Sequence, residues 1–313
     1  MTKQTQKAIK YLLLNIFILS IMGHYESKAQ CGCMSSISAG TLSPTLGTST
    51  TGTMREKFLS INSLNIYTYG NKYYLGSKLA PPDVVREFSN ITNTLYLSYG
   101  ITKQLSIDFN FNYISQNSVD APPFVYKSSG FGNIGVLAKY NFYYNPRNDF
   151  EFTAGIGGNI PIKKATDTTY IYLQPSNGSF SGIGQIFLHK GFQKEKFNLY
   201  LINRSEFFGL NDVNYIFGNT ITTSLMATYN LSENLMLIAE LRNEYKNKDK
   251  NNDYINPDSG YNNFILSPQI TYLWDKFSIS LKYDNNTFRN YNGLQASKNY
   301  SLYLNFGYNF KID

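Results

Sequence analysis

Few residues in this 313-residue chain have a type and spacing suited to chemistry, and each needs a particular context. Gly130-x-Gly132-x-x-Gly135 has the spacing of a dinucleotide-binding turn, where glycines let a pyrophosphate approach a helix N-terminus. That use requires a strand before the turn and a helix after it. Here a loop-like stretch precedes and an alternating segment follows, so the glycines read as the rim of a sheet. His189 is the one histidine outside the N-terminal leader described below. A hydrolase needs a nucleophile, a base and an orienting group that converge. No His-x-Ser pair or acidic cluster adjoins His189 in sequence, so it reads as polar lining. The acids Asp212, Asp249, Asp253 and Asp258 are the set left to meet in space as paired carboxylates. Cys31-Gly32-Cys33-Met34 offers two thiolates and a thioether, soft ligands suited to Cu(I). A disulfide within the pair, a bond to another chain, a metal site and an inert pair all stay open for Cys31, Cys33 and Met34. No cofactor is expected.

The remaining functional side chains are charges on the polar side of alternating segments. Asp108, Lys139, Glu151, Arg204, Glu206, Glu240, Arg242, Glu244 and Lys282 fall there, together with His189, and are expected to line a lumen. Alternating signs on one face, as in Glu240-x-Arg242-x-Glu244, can pair with neighbours on adjacent strands. Such a set either lines a water-filled pore or neutralises itself and narrows the interior. Because the signs are mixed, the narrow polar lumen is the expectation.

The elements that hold these residues are strands. From residue 54 onward the chain divides into twelve segments, most with period-2 hydrophobicity. In one, Leu105, Ile107, Phe109, Phe111 and Tyr113 alternate with Ser106, Asp108, Asn110 and Asn112. Tyr300 to Ile312 alternates as regularly. Short connections near 102–104, 145–149, 194–196, 231–234 and 275–276 take turns with long ones near 70–87, 117–131, 163–181, 209–216, 247–261 and 285–298. Strands of about 12 residues exceed the usual soluble length and suit a tilted bilayer crossing. The fold class is therefore all-β: a transmembrane antiparallel β-barrel of about 12 strands, with short periplasmic turns and long extracellular loops. Rings at segment ends, among them Tyr67, Tyr99, Tyr140, Phe142, Phe207, Phe208, Tyr245 and Trp274, suit interfacial girdles.

Composition agrees. Aromatics are 16%, with 27 Tyr and 22 Phe, and charged residues only 16%, which excludes a disordered chain. Lys and Arg are dispersed, so nucleic acid is not an expected partner. The N-terminus carries Lys3, Lys7 and Lys10, then the apolar Tyr11–Met22, then Ser27-Lys28-Ala29, the order of a secretory signal. Cleavage after Ala29 removes four Lys and one Glu, so +3 of the formal +7 belongs to the leader. Cys31 lacks the Leu and small residue that a lipidation site requires. The organisation is a signal peptide over 1–29, a flexible periplasmic segment over 30–54 that either stays at the mouth or tucks into the lumen, and an outer-membrane barrel over 55–313. No plug-sized N-terminal domain of an energy-coupled receptor is expected.

Ser129-Gly-Phe-Gly-Asn-Ile-Gly-Val-Leu-Ala-Lys-Tyr140 resembles the loop-to-strand signature SGxGDxxLxxKY of exported barrels named Putative MetA-pathway of phenol degradation. Ser129, Gly130, Gly132, Leu137, Lys139 and Tyr140 match, Asn133 stands where Asp is usual, and Ser181-Gly-Ile-Gly repeats half of it. Tyr308-Asn309-Phe310 resembles the aromatic signal read by the barrel-insertion machinery. The resemblance implies a Gram-negative outer-membrane, porin-like transporter in contact with outer-membrane lipid. The expected role is passive or facilitated passage of small solutes, hydrophobic or aromatic ones included, without enzymatic activity. A non-conducting structural or surface-interaction barrel is the alternative, and a membrane-embedded hydrolase a third.

Overall fold

The structure is a computed structural model that describes residues 52–81, 85–166, 168, 171–192 and 196–312. The leader, residues 30–51 and the Cys31, Cys33, Met34 group lie outside these. Twelve strands make the wall: β1 (Phe58–Gly70), β2 (Glu87–Gly100), β3 (Leu105–Ala121), β4 (Phe124–Asn145), β5 (Phe150–Ile160) and β6 (Ser181–Phe192), then β7 (Phe197–Phe208), β8 (Thr220–Asn230), β9 (Leu235–Lys246), β10 (Tyr261–Trp274), β11 (Phe277–Ser297) and β12 (Tyr300–Lys311). Each pairs antiparallel with its sequence neighbours, and β1 pairs with β12 from Phe58↔Lys311 to Tyr69↔Tyr300. That last ladder closes the sheet.

Alternation decides which face each residue takes. In β12, Ser301, Tyr303, Asn305 and Asn309 are buried inside while Leu302, Leu304 and Phe306 face outward. Leu201, Leu225, Leu241 and Leu266 are direct cross-strand partners on four successive strands, all exposed. They form part of an apolar outer band, as a hydrocarbon layer requires. Ring pairs edge the wall near the short turns, with Tyr140–Phe142 at 4.9 Å and Phe277–Tyr308 at 4.7 Å. Phe208 departs from the girdle expected of it. Phe207 takes the outward position, so Phe208 turns inward and packs against Ala165, Ile171, Tyr215 and Phe217.

Two segments expected as loops are strand. The 117–131 stretch continues the β3–β4 ladder through Asn117↔Ser128 and Val119↔Tyr126, with Pro122-Pro123 as its two-residue turn. The 285–298 stretch continues β11, and 294–297 pairs with the short strand Lys72–Gly76. Turn-forming residues mark only the tips of these projecting hairpins. Residues 215–216, 250–251 and 254–255 form a further small sheet among the long connections.

The interior is also less uniformly polar than the alternation implies. Phe187, Tyr200, Ile202, Met226, Met236 and Ile238 share the inner face of β6–β9 and pack as one buried cluster. Enclosed space away from water packs as a core whatever surrounds the barrel. At the short-turn mouth Thr53 and Met54 are buried, and the Gly52 N–H donates to Glu151 Oε1 at 2.6 Å. These three residues therefore enter the barrel.

Leu241→Arg tests what the outer band touches. In lipid vesicles it should cost about 2–4 kcal/mol, read from urea unfolding. In a water-facing wall an exposed position tolerates the change within about 0.5 kcal/mol, and that result would contradict the assignment.

Candidate functional site

Most of the interior charges are paired. Arg242 is 1% exposed and reaches Glu240 Oε2 at 3.1 Å, Glu244 Oε1 at 3.0 Å and Asp284. Lys282 holds Glu240 and stands 3.8 Å from Asp284, while Lys298 is 3.2 Å from Glu244. Three carboxylates thus meet three cations. Tyr303 and Ser267 donate to Asp284 at 2.7 and 2.6 Å, and Ser224 donates to Glu240 at 2.6 Å. The group spans β9 and β11, which are not neighbours. Long side chains cross β10 because its inner face there is the small Ser267. A charge set this buried persists only when fully partnered.

Elsewhere, Lys139 pairs with Asp108 at 2.8 Å, and Tyr96 and Ser98 each donate to that carboxylate at 2.6 Å. Glu151 accepts from Asn141 at 2.7 Å and Thr153 at 2.6 Å. His189 is buried, stacked on Tyr200 at 4.8 Å, with Nε2 3.1 Å from Asn198 Oδ1. The loop acids do not converge into a carboxylate pair. Asp212 meets Lys164 at 3.2 Å, Asp249 meets Lys246 at 2.7 Å, and Asp258 accepts from the Leu294 N–H. Arg204 and Glu206 have no partner of opposite charge within 4 Å among the described residues.

Both line an interior cavity of about 210 Å³. Asparagines dominate its wall, including Asn90, Asn110, Asn112, Asn117, Asn133, Asn159, Asn177 and Asn263. Rings of Tyr172, Phe208, Phe217, Tyr261 and Tyr291 complete it. One side belongs to the β5–β6 connection, which folds inward so that Ile171, Leu173 and Ser179 are buried. Its anchors lie far away in sequence. Asn117 and Ser128 donate to the Leu173 carbonyl, Ser176 donates to Asn133 Oδ1 at 2.8 Å, and Asn133 Nδ2 donates to Asn177 Oδ1 at 2.7 Å. At the far end Tyr172 donates to Asp249, as does Tyr215 at 2.8 Å. Burial and the Asp249 carboxylate push both phenols above their ordinary range, so each stays a protonated donor at neutral pH.

This docking explains the glycine-spaced stretch. Gly130 has φ +147, and a Cβ there would lie 3.3 Å from the Pro175 ring. At Gly132 a Cβ would meet Asn112 at 3.1 Å and the Pro175 carbonyl at 3.2 Å. The glycines are a notch in the inner wall that receives the loop, not a phosphate cradle. Sequence reasoning missed Asp284, Lys298, Lys246 and the Tyr172–Tyr215–Asp249 group. Asp284 lay on the polar side of its strand beside Lys282. Lys246 continues the inward series Glu240-x-Arg242-x-Glu244 at the end of β9, while Lys298, Tyr172, Tyr215 and Asp249 sit in connections, where periodicity carries no facing information.

A closed, lipid-banded antiparallel barrel with a partly filled polar interior defines an outer-membrane β-barrel protein. Residues 72–310 match the family model described as Putative MetA-pathway of phenol degradation, and the chain belongs to that family. A similar solved structure is the COG4313 outer membrane channel from Pseudomonas putida F1, with TM-score 0.71 and 14% identity over 82% of this chain and 97% of that one. The KdgM porin matches at TM-score 0.45 and 11% identity, over 80% of this chain and 99% of that one. A Pseudomonas aeruginosa FadL homologue matches at TM-score 0.44 and 10% identity, over 80% and 90%. No curated protein matches the sequence.

The loop's attachment is testable. Tyr172→Phe deletes a hydrogen bond to a charged group while keeping shape, a loss of roughly 1.5–3 kcal/mol. It should raise tryptic cleavage after Lys163 or Lys164 at least several-fold at pH 7. Because the phenol pKa values are raised, the native loop should keep its protection below pH 10 and lose it as pH rises through those elevated values. Unchanged cleavage in the variant would contradict the anchorage.

Proposed function

We propose that the barrel passes small solutes across the outer membrane by passive or facilitated diffusion, hydrophobic or aromatic solutes among them. The observation that carries this is the asparagine- and ring-lined cavity narrowed by a loop pinned to the inner wall. Amide groups can exchange hydrogen bonds with a solute without the strong field of a single-sign charge ring, and aromatic faces accommodate its apolar part. Ion pairs narrow the interior without selecting by sign, so Asp108, Lys139, Glu240, Arg242 and Lys282, with the neutrally held Glu151 and His189, support the passage and Arg204, Glu206 and Glu244 border it. A channel is also what the Pseudomonas putida relative is called. The reading is non-enzymatic, since His189 lies against Tyr200 and Asn198 rather than at the cavity wall.

The packed Arg242 group and the Phe187 cluster favour a second reading, a non-conducting barrel whose projecting hairpins contact the exterior. Liposome swelling separates the two. Reconstituted barrel should admit small neutral solutes at rates that fall steeply with size, and a cavity of about 210 Å³ sets that limit well below drug-sized ligands. Swelling no faster than in protein-free liposomes, for every solute, would leave the structural reading in its place.

A further inference from the structure

Most charges inside this barrel are held in ion pairs, and the buried Glu151 is held by neutral donors, the Gly52 N–H, Asn141 and Thr153. Among the described residues three cations line the cavity, and two are committed: Lys246 to Asp249 at 2.7 Å and Lys298 to Glu244 at 3.2 Å. The third, Arg204, has neither an ion pair nor a hydrogen bond among the described residues. Asp108, the acid of the opposite wall, is already taken by Lys139, Tyr96 and Ser98. Glu206 is in the complementary position. Its Oε1 accepts from Asn159 at 2.6 Å and Ser181 at 2.5 Å, which fixes the carboxylate, while Oε2 has no partner among the described residues. No cation stands within 4 Å of it there.

Arg204, Glu206 and Phe208 are successive inward residues of β7. Their backbone positions step along the strand by roughly 6.5–7 Å, close enough for long side chains to serve one small molecule. A guanidinium without an ion pair, a carboxylate with one oxygen unpartnered among the described residues and a ring thus follow one another along a single cavity wall, with Phe217 and Tyr172 continuing the aromatic side. An unpaired charge in a confined interior is costly, and here two of opposite sign are left for a guest to satisfy.

We propose that this wall is a binding subsite for a small zwitterion, an α-amino acid with an apolar or aromatic side chain. Its carboxylate takes Arg204, its ammonium takes Glu206, and its side chain lies against Phe208 and Phe217. A simple organic anion satisfies only the first group and leaves Glu206 facing it. A simple amine has the reverse defect. The proposal rests on the solute-passage reading above and names its substrate class.

Calorimetric titration of the purified full barrel in detergent micelles tests it independently of conduction. The probes are L-phenylalanine, phenylacetate and phenethylamine, which share a ring and differ in charge. L-phenylalanine should bind at least tenfold more tightly than either of the others. Arg204→Gln should remove its advantage over phenethylamine, and Glu206→Gln its advantage over phenylacetate, with heat-modifiable gel mobility confirming the fold. Equal binding of phenylacetate and L-phenylalanine to the unaltered chain would overturn the proposal even if neither variant folds. So would absence of binding by all three. If that absence accompanied normal liposome swelling, the channel would stand and only the ligand class would fall.

Discussion

The structure depends on the ladder between β1 and β12, twelve residue pairs that join the two ends of the sheet. In hydrocarbon an unpaired backbone N–H or C=O has no water to turn to, and an open edge would leave a row of them. Closure removes that cost and imposes everything else. Once the wall is shut, alternation sends every second side chain to lipid and the rest into one confined volume. Leucines in register across β7–β10 and the buried Arg242 group are two consequences of that division.

Confinement then sets the chemistry of the inside. Carboxylates and cations brought together by twelve strands meet solvent, take neutral donors as Glu151 does, or neutralise one another locally. Glu240, Glu244 and Asp284 with Arg242, Lys282 and Lys298 do so across three strands, with the small Ser267 leaving room between them. The β5–β6 connection enters the remaining space and is held at two places, the glycine notch of β4 and the carboxylate of Asp249. What it leaves is a cavity whose wall is mostly amide and ring. Packing and the proposed function are therefore one problem here: the groups that stop the interior from collapsing also shape the cavity wall.

Much of this was legible in the sequence because a period of two is local. Tyr300–Ile312 could be assigned to two faces residue by residue, and of the charged and histidine side chains read as inward, Asp108, Glu151, His189, Glu206, Glu240, Arg242, Glu244 and Lys282 are buried while Lys139 and Arg204 are half-buried. Interior partnerships were less legible. Glu240-x-Arg242-x-Glu244 announced an ion-pair network, but Asp284 answers it from two strands away, a distance that sequence spacing does not encode. Pro122-Pro123 looked like the middle of a loop because turn residues mark a tip without saying how far the strands rise toward it. The inward fold of the β5–β6 connection had only one sign, the glycines at 130 and 132, and their use is visible only once Pro175 lies beside them.

On the proposed function, the docked β5–β6 connection sets the width of a solute passage through the closed barrel. Single-channel recording in planar bilayers tests it most directly, comparing the native chain with one in which residues 164–177 are replaced by a short Gly-Ser linker. Small conductance steps in the native protein and clearly larger ones in the shortened variant are predicted. Equal steps in both, or no current from either at any voltage, would contradict it.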